Sequence, residues 1–96
     1  MELIKPLCSQ FAEVMERQKY TRLFVYYTDG TEMANVDVSS VIVLDDNFTI
    51  EAEDYFRCTI NFSDVKNAYC EAESDGVVEL SLYLVNGTEF AIDTYA

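Results

Sequence analysis

All three glycines of this chain follow an Asp or an Asn, and each Asx-Gly pair stands between two runs rich in β-branched and aromatic residues. The pairs are Asp29-Gly30, Asp75-Gly76 and Asn86-Gly87. Because Asx-Gly between such runs is a strong hairpin signal, the pattern predicts three tight turns between antiparallel strands. The strings Gly30-Thr31-Glu32 and Gly87-Thr88-Glu89 are interpreted as recurrent turn chemistry, since they are too short to establish a duplication.

Strand-forming runs occupy most of the chain after Thr21. They cover residues 23–27, 32–38, 41–44, 48–53, 56–62, 67–73, 77–84 and 89–94. Asp45-Asp46-Asn47 is expected to be a turn, and Ser63-Asp64 either caps a short helical turn or bends the chain. The sequence therefore predicts a mostly antiparallel β-sheet of six to eight short strands.

One helix is expected, over residues 6–19. Leu7, Phe11, Val14 and Met15 recur at helical spacing and form an apolar stripe that favours packing on the core. Pro6 suits the first turn, where its missing N–H is not needed, and Glu13 and Arg17 would form an i,i+4 pair. The expected fold is α+β, with one N-terminal helix packed on the sheet.

Composition favours a folded chain. Half of the residues are apolar and 14% are aromatic, which is unlike an acidic disordered segment. At 96 residues we expect a single domain, residues 1–96, with one core. The sequence shows neither an apolar run long enough for a membrane span nor the pattern of a signal peptide, so the cytosol is the expected location, which is the host cytosol if a phage encodes the chain.

The cysteines are expected to be reduced core thiols. Cys8, Cys58 and Cys70 each lie on an apolar face, their number is odd, and no CxxC motif is present. The chain has no His, which excludes a Cys/His zinc site. We expect neither a cofactor nor a metal.

Acidic charge dominates the chain, with 18 Asp and Glu against 6 Lys and Arg and a net charge of -12. Residues 1–28 are close to neutral, whereas residues 29–96 carry 15 acids and only two bases, Arg57 and Lys66. Self-repulsion of this size opposes compaction, so the charge serves either solubility or a partner. Its sign disfavours direct binding to nucleic acid or to an anionic membrane.

Strand alternation places much of this charge on one face. Glu51 and Glu53 are expected to point outward from their strand, as are Tyr69, Glu71 and Glu73 from theirs, and Glu79, Ser81 and Tyr83 from the next. A three-residue loop, Ser74-Asp75-Gly76, pairs Glu71 with Glu79 and keeps both outward. A two-residue loop at Asn86-Gly87 contradicts this alternation, so either a bulge is present there or both faces are partly covered.

Catalytic motifs are not evident. With no His, no glycine-rich phosphate loop and no nucleophile elbow, we expect that the chain is not an enzyme, although carboxylate acid/base catalysis stays open. Asp45-Asp46-Asn47 with Glu51 lacks the ligand spacing and central Gly of a calcium loop, and a turn is the simpler interpretation.

Three interpretations of the acidic face remain. It is a solvated surface, a docking face for a basic protein, or a nucleic-acid mimic. Carboxylates two apart on a strand lie about 6.5 to 7 Å apart, near twice the ~3.4 Å rise of one DNA strand. The candidate partner-binding residues are Glu71, Glu73, Glu79, Tyr69, Tyr83, Glu51, Glu53, Asp54, Tyr55, Asp45 and Asp46.

A small, acidic, His-free α+β chain with Glu, Asp and Tyr along its sheet resembles the small anti-defence proteins of phages and mobile elements, in particular anti-CRISPR inhibitors. The resemblance covers the whole chain in composition and involves no diagnostic motif. It implies binding to a Cas nuclease such as Cas9, at a basic surface that otherwise holds DNA or guide RNA. The alternative is a structural protein that self-associates through a sheet edge, with a homodimer as one form.

Overall fold

The computed structural model describes residues 3–53 and 56–96 and contains one α-helix and seven β-strands. This confirms the expected α+β fold. In chain order the elements are α1 (Ile4–Met15), β1 (Tyr20–Tyr26), β2 (Glu32–Val43), β3 (Asn47–Ala52), β4 (Arg57–Asn61), a 3₁₀ turn (Phe62–Asp64), β5 (Val65–Ala72), β6 (Val78–Leu84) and β7 (Glu89–Tyr95).

All seven strands form one antiparallel sheet in the order β4-β3-β2-β1-β7-β6-β5. Strands β4 and β5 are the two edges, yet only the three residues of the 3₁₀ turn connect them. Such a turn rises about 2 Å per residue, so the sheet must curl until its edges approach each other at this point. Backbone hydrogen bonds from Phe62 to Asp46 and from Val85 to Asp64 tie the turn to both halves of the sheet.

The three Asx-Gly turns share one construction, which settles the open register at Asn86-Gly87. In each turn the glycine has φ between 85° and 92°, and the Asx side chain accepts the N–H two residues later. Each is a three-residue loop, so the last hairpin pairs Tyr83 with Glu89 rather than with Phe90. The left-handed glycine that ends a three-residue loop forms a G1 bulge, so the first of the two explanations offered for this hairpin, a bulge, is confirmed.

The concave face of the curled sheet holds the core. Leu23, Phe48, Ile50, Leu80 and Ile92 are fully buried there, and they pack with residues of the helix. On β3 and β6 the predicted alternation therefore holds for the apolar positions.

The helix is shorter than predicted at its C-terminal end. It ends at Met15 because Lys19 already donates its N–H to Tyr95 O, and the Gln18 side chain bonds to the carbonyl groups of Gly76 and Thr94. Arg17 lies beyond the helix and forms no ion pair with Glu13 in the described part of the chain, so that prediction was wrong. Of the predicted stripe only Phe11 is fully buried; Ile4 and Cys8 supply the other buried contacts.

Two runs predicted as separate strands, residues 32–38 and 41–44, form the single strand β2. Its pairing with β3 shifts between Val38 and Ser40, which leaves Ser39 as an extra residue at a β-bulge. The Ser39 hydroxyl donates to the Glu51 carbonyl at 3.0 Å and fixes the bulge. The polar Ser39-Ser40 pair therefore marks a bulge rather than a strand end.

The three cysteines are free. Cys8 is fully buried in the core, and this burial, with a smaller contribution from Cys70, raises the pKa of its thiol to about 12. Cys58 and Cys70 are half-buried against the same core, where burial raises the pKa of each thiol.

Candidate functional site

A line of charged side chains crosses the convex, outer face of the sheet. Strand pairing places Glu71 opposite Glu79, Glu79 opposite Asp93, Asp93 opposite Arg22, and Arg22 opposite Asp37. Glu53, directly after β3, continues the line because its N–H bonds to Asp37 O at 2.9 Å. We call these six residues the acidic row: Glu71, Glu79, Asp93, Arg22, Asp37 and Glu53.

Arg22 is the only base of the acidic row, and it is turned toward one end. Its guanidinium pairs with Asp37 and with the Asn35 side chain, whose oxygen lies 2.9 Å from Nε. Charge is therefore balanced at Asp37. Although Asp93 lies opposite Arg22, neither it nor Glu79 nor Glu71 forms a salt bridge in the described part of the chain.

The effect of the uncompensated negative charge is largest at the Asp93 carboxyl. Its Oδ1 atom is buried and has no hydrogen-bond donor within the described residues, and Oδ2 only receives a long bond, 3.5 Å, from the Tyr95 hydroxyl. The Asp93 side chain is also in cross-strand contact with that of Glu79, which lies directly opposite on β6. Burial, this contact, and the charges of Glu79 and Glu73 together raise the pKa of Asp93 to about 7.

Tyrosines extend the acidic surface on β5 and β6. Tyr69 and Tyr83 pack edge to face with ring centroids 5.9 Å apart, and their exposed fractions are 52% and 36%. Partial burial and the charges of Glu89 and Glu79 raise the pKa of Tyr83. These two rings provide an exposed aromatic contact area next to the acidic row.

The outer face is not polar throughout. Between the acidic row and Tyr83, Ser81 and Ala91 pair with each other and are only 7% and 6% exposed. Ser81 therefore lies on the predicted face but is covered by its neighbours, and it donates to Glu79 at 3.4 Å. Thr49 on β3 is covered in the same way. Ser81 therefore points outward as predicted but is shielded from solvent.

The structure brings together five of the predicted partner-binding residues. Glu71, Glu73, Glu79, Tyr69 and Tyr83 share the outer surface of β5 and β6. The acidic row and these tyrosines, with Glu73, form what we call the acidic face.

The remaining predicted residues lie elsewhere or have local partners. Glu51 is half-buried, pairs with Arg57 at 3.4 Å and accepts a bond from Ser40. Asp45 pairs with Lys5 at 2.8 Å, and Asp46 accepts a bond from Asn47 at 2.9 Å. Glu53 belongs to the far end of the acidic row. Asp54 and Tyr55 lie outside the described residues.

Sequence reasoning missed Asp93, Asp37 and Arg22 as members of the row. A signal for Asp93 was available: a three-residue loop at Val85-Asn86-Gly87, like that at Ser74-Asp75-Gly76, places Asp93 opposite Glu79. No comparable local signal exists for Arg22 beside Asp93, because β1 and β7 pair from opposite ends of the chain.

A separate open groove of about 230 Å³ lies between the end of α1 and the β2 bulge. Ala12, Met15, Glu16, Ser39, Ser40 and Val41 line it, so Glu16 is its one ionisable side chain. Among residues 3–53 and 56–96, no group of three or more Cys, Asp or Glu side chains is placed to hold a metal ion.

Comparison of the chain with protein-family models, with curated proteins and with solved structures gives no match. Within the described ranges, no helix has both the length and the apolar character needed to cross a membrane.

Proposed function

We propose that this chain is a non-enzymatic binding protein that docks its acidic face on a basic surface of a nucleic-acid-handling protein and occludes that surface. The observation that carries the proposal is the juxtaposition of Glu71, Glu79 and Asp93 on three adjacent strands, where none of them forms a salt bridge within the described residues. Like charges directly opposed across strands are each destabilising by about 0.2–1 kcal/mol.

A surface that serves solubility alone does not need this arrangement. Dispersed charges of both signs keep a small domain soluble without opposing one another across strands. Concentrating them beside two exposed tyrosines gives a face with aromatic anchors and a charged surround, which is the composition of a protein-binding surface. The arrangement of charges and tyrosines on the acidic face therefore favours a role in binding a partner over a role in solubility alone.

Spacing supports a partner that handles nucleic acid. Neighbours in the acidic row are about 4.8 Å apart across strands, and residues two apart along a strand are about 6.7 Å apart. Phosphates of one DNA strand follow each other at a rise of ~3.4 Å, so both spacings lie within one to two nucleotide steps. By its resemblance to anti-CRISPR inhibitors, a Cas nuclease such as Cas9 is the first partner to test.

Salt dependence is the primary test. The association rate with a purified Cas9–guide RNA complex should fall at least tenfold between 50 and 300 mM NaCl, while the dissociation rate changes less, because exposed charges steer the encounter. Excess target DNA should compete with binding. An affinity that is flat across this salt range would contradict electrostatic docking.

Matched triple variants locate the surface. Glu71→Lys, Glu73→Lys and Glu79→Lys together should abolish binding. The control changes net charge equally at distant exposed positions: Glu13→Lys, Glu16→Lys and Asp64→Lys. Equal loss of binding in both triple variants would mean that net charge, and not the acidic face, determines the interaction.

Self-association through a sheet edge is the second candidate, and the unpaired edges of β4 and β5 favour it. Unpaired strand edges present backbone groups that a second chain can pair with. A dimer that persists unchanged from 50 to 300 mM NaCl in sedimentation, together with no binding to a basic protein, would support this candidate over docking.

A further inference from the structure

The Glu79–Asp93 pair lies at the centre of the uncompensated half of the acidic row. The two side chains are in cross-strand contact, directly opposite each other on β6 and β7, and neither has a donor that could hold two negative charges together: Ser81 offers Glu79 a bond of 3.4 Å, and Tyr95 offers Asp93 one of 3.5 Å. Asp93 Oδ1 is buried without any donor in the described residues. Two carboxylates in contact cannot both stay ionised at low energetic cost, so a proton between them is the missing donor.

The groups around Asp93 reinforce this arrangement from every strand beside it. On its own strand β7 the neighbour is Tyr95; on β6 it is Glu79. Beyond Glu79, β5 carries Glu71, and Glu73 follows that strand and adds a further negative charge. On the other side, Arg22 of β1 turns its guanidinium to Asp37 of β2. The surroundings therefore favour the protonated pair.

We propose that Glu79 and Asp93 share one proton in the free protein and release it to solvent when a basic partner docks on the acidic face, so that docking is controlled by pH. The inference rests on the proposed docking function and adds its regulation. Positive charge over Glu71, Glu73 and Glu79 favours the doubly ionised pair, and by linkage the ionised pair binds that charge more tightly. At about pH 7 and above the pair has already lost its proton before the partner docks, so binding no longer has to remove it and becomes tighter.

The pH window is unusually clear in this chain. The sequence contains no His, and the pKa of each of the three thiols is raised above its ordinary value. The pKa of about 7 for Asp93 therefore falls in a range where few other side chains titrate. We therefore expect proton release between pH 5 and 7 to come mainly from the pair.

The first measurement uses the free protein. Carboxyl ¹³C chemical shifts of the wild-type chain, followed by NMR from pH 3 to 9, should show Asp93 titrating near 7. Titration of Asp93 near pH 4 would overturn the proposal without bearing on the docking function. This measurement needs no variant and no partner.

The second measurement uses a lysine–arginine peptide as the basic probe, because its side chains do not titrate in this range. Its Kd should decrease by up to tenfold per pH unit between pH 5 and 7 and level off above 7. Asp93→Asn should bind with a Kd that is nearly constant across this range. Glu13→Gln on the helix loses the same charge and should keep the wild-type slope.

The outcomes separate the two proposals. No binding of the probe at any pH would overturn both docking and its linkage to the proton. Binding with the same flat pH dependence in wild type and Asp93→Asn, together with titration of Asp93 near 7, would overturn the linkage and leave docking intact. A wild-type slope retained in Asp93→Asn would overturn the assignment to this pair.

Discussion

Glu71 and Glu79 lie directly opposite each other on β5 and β6, and Asp93 follows Glu79 in the same row on β7. Glu79 is therefore flanked by a carboxylate on each side. The three-residue loop at Ser74-Asp75-Gly76 imposes the first contact, and the similar loop at Val85-Asn86-Gly87 imposes the second. Glu79 is thus repelled by two neighbouring carboxylates, those of Glu71 and Asp93.

Glu79→Lys should raise stability and weaken binding. The new ammonium would face Glu71 and Asp93, so each like-charge contact becomes an opposite-charge contact, and we expect a gain of up to about 1 kcal/mol in the free energy of unfolding. Thermal or urea unfolding measures the gain, with Glu13→Lys as a control for net charge. A stabilised variant that binds its partner less well would indicate a site maintained for function at a cost in stability. A destabilised variant would contradict the repulsion between these strands.

Stability should fall as pH rises from about 4 to 7. The pKa of Asp93 is about 7 in the folded protein against 3.8 ordinarily, so the folded state binds the proton more tightly in this window, and that advantage is lost as pH passes through 7. Hydrogen bonds, from Thr31 to Asp29 and from Lys5 to Asp45, lower the pKa of these two carboxyls and act oppositely, but only below about pH 4.

Asp93→Asn isolates this contribution. At pH 8 the variant should be more stable than wild type by roughly 1 kcal/mol, after allowance for solvent screening, and its stability should change less between pH 5 and 8. Asp75→Asn is the control, because it makes the same chemical change in a turn. Asn is suited to that position, since Asn86 makes the equivalent hydrogen bond in the turn of the next hairpin. Its stability should depend on pH with the wild-type slope. Equal slopes in Asp93→Asn and wild type, by urea unfolding, would exclude Asp93 as the source.

Glycine substitutions should distinguish two turns of the same construction. Gly30 and Gly87 both have positive φ, 85° and 92°, but a Cβ on Gly30 meets open space whereas one on Gly87 would clash with the Thr28 side chain. Gly30→Ala should cost about 1–2 kcal/mol for the left-handed backbone alone. Gly87→Ala should cost more, as measured by chemical unfolding. Equal losses would show that Thr28 moves aside freely.

Thiol labelling should separate the cysteines. Cys8 is fully buried with a pKa of about 12, so native protein pulsed with iodoacetamide at pH 8 should leave it unmodified, while Cys58 and Cys70 react slowly. After denaturation all three should react alike. Mass spectrometry of tryptic peptides reads the sites directly, and labelling of Cys8 as fast as Cys58 in native protein would contradict its burial.

Local chemistry made part of this fold predictable. The Glu71–Glu79 register was derived from turn length and strand alternation, and the structure confirms it. The helix end was not predictable, because Gln18 and Lys19 are held by Tyr95, Gly76 and Thr94 from the distant end of the chain. The strand register that sets Arg22 opposite Asp93 was not predictable for the same reason, because β1 and β7 are far apart in the sequence.

Four of the five neighbour relations in the acidic row lie between consecutive strands, and only the relation between Asp93 and Arg22 depends on the distant pairing of β1 with β7. The low exposure of Ser81 arises in the assembled sheet, where it lies between Tyr69 on β5 and Ala91 on β7. Whether the face binds a partner stays a prediction.

Strand β7 lies inside the sheet, between β1 and β6, although it follows the other six strands in the sequence. Thr21 and Thr94 bond side chain to side chain at 2.8 Å across 73 residues, and the rings of Tyr20 and Tyr95 stack beside them. Because β7 joins β1 to β6, the seven-stranded sheet cannot be completed until β7 has been synthesised. Folding that depends on such non-local pairing is slow, with times on the order of milliseconds to seconds. Docking of β7 is therefore the folding step that a chaperone would assist and that a truncation of this strand would prevent.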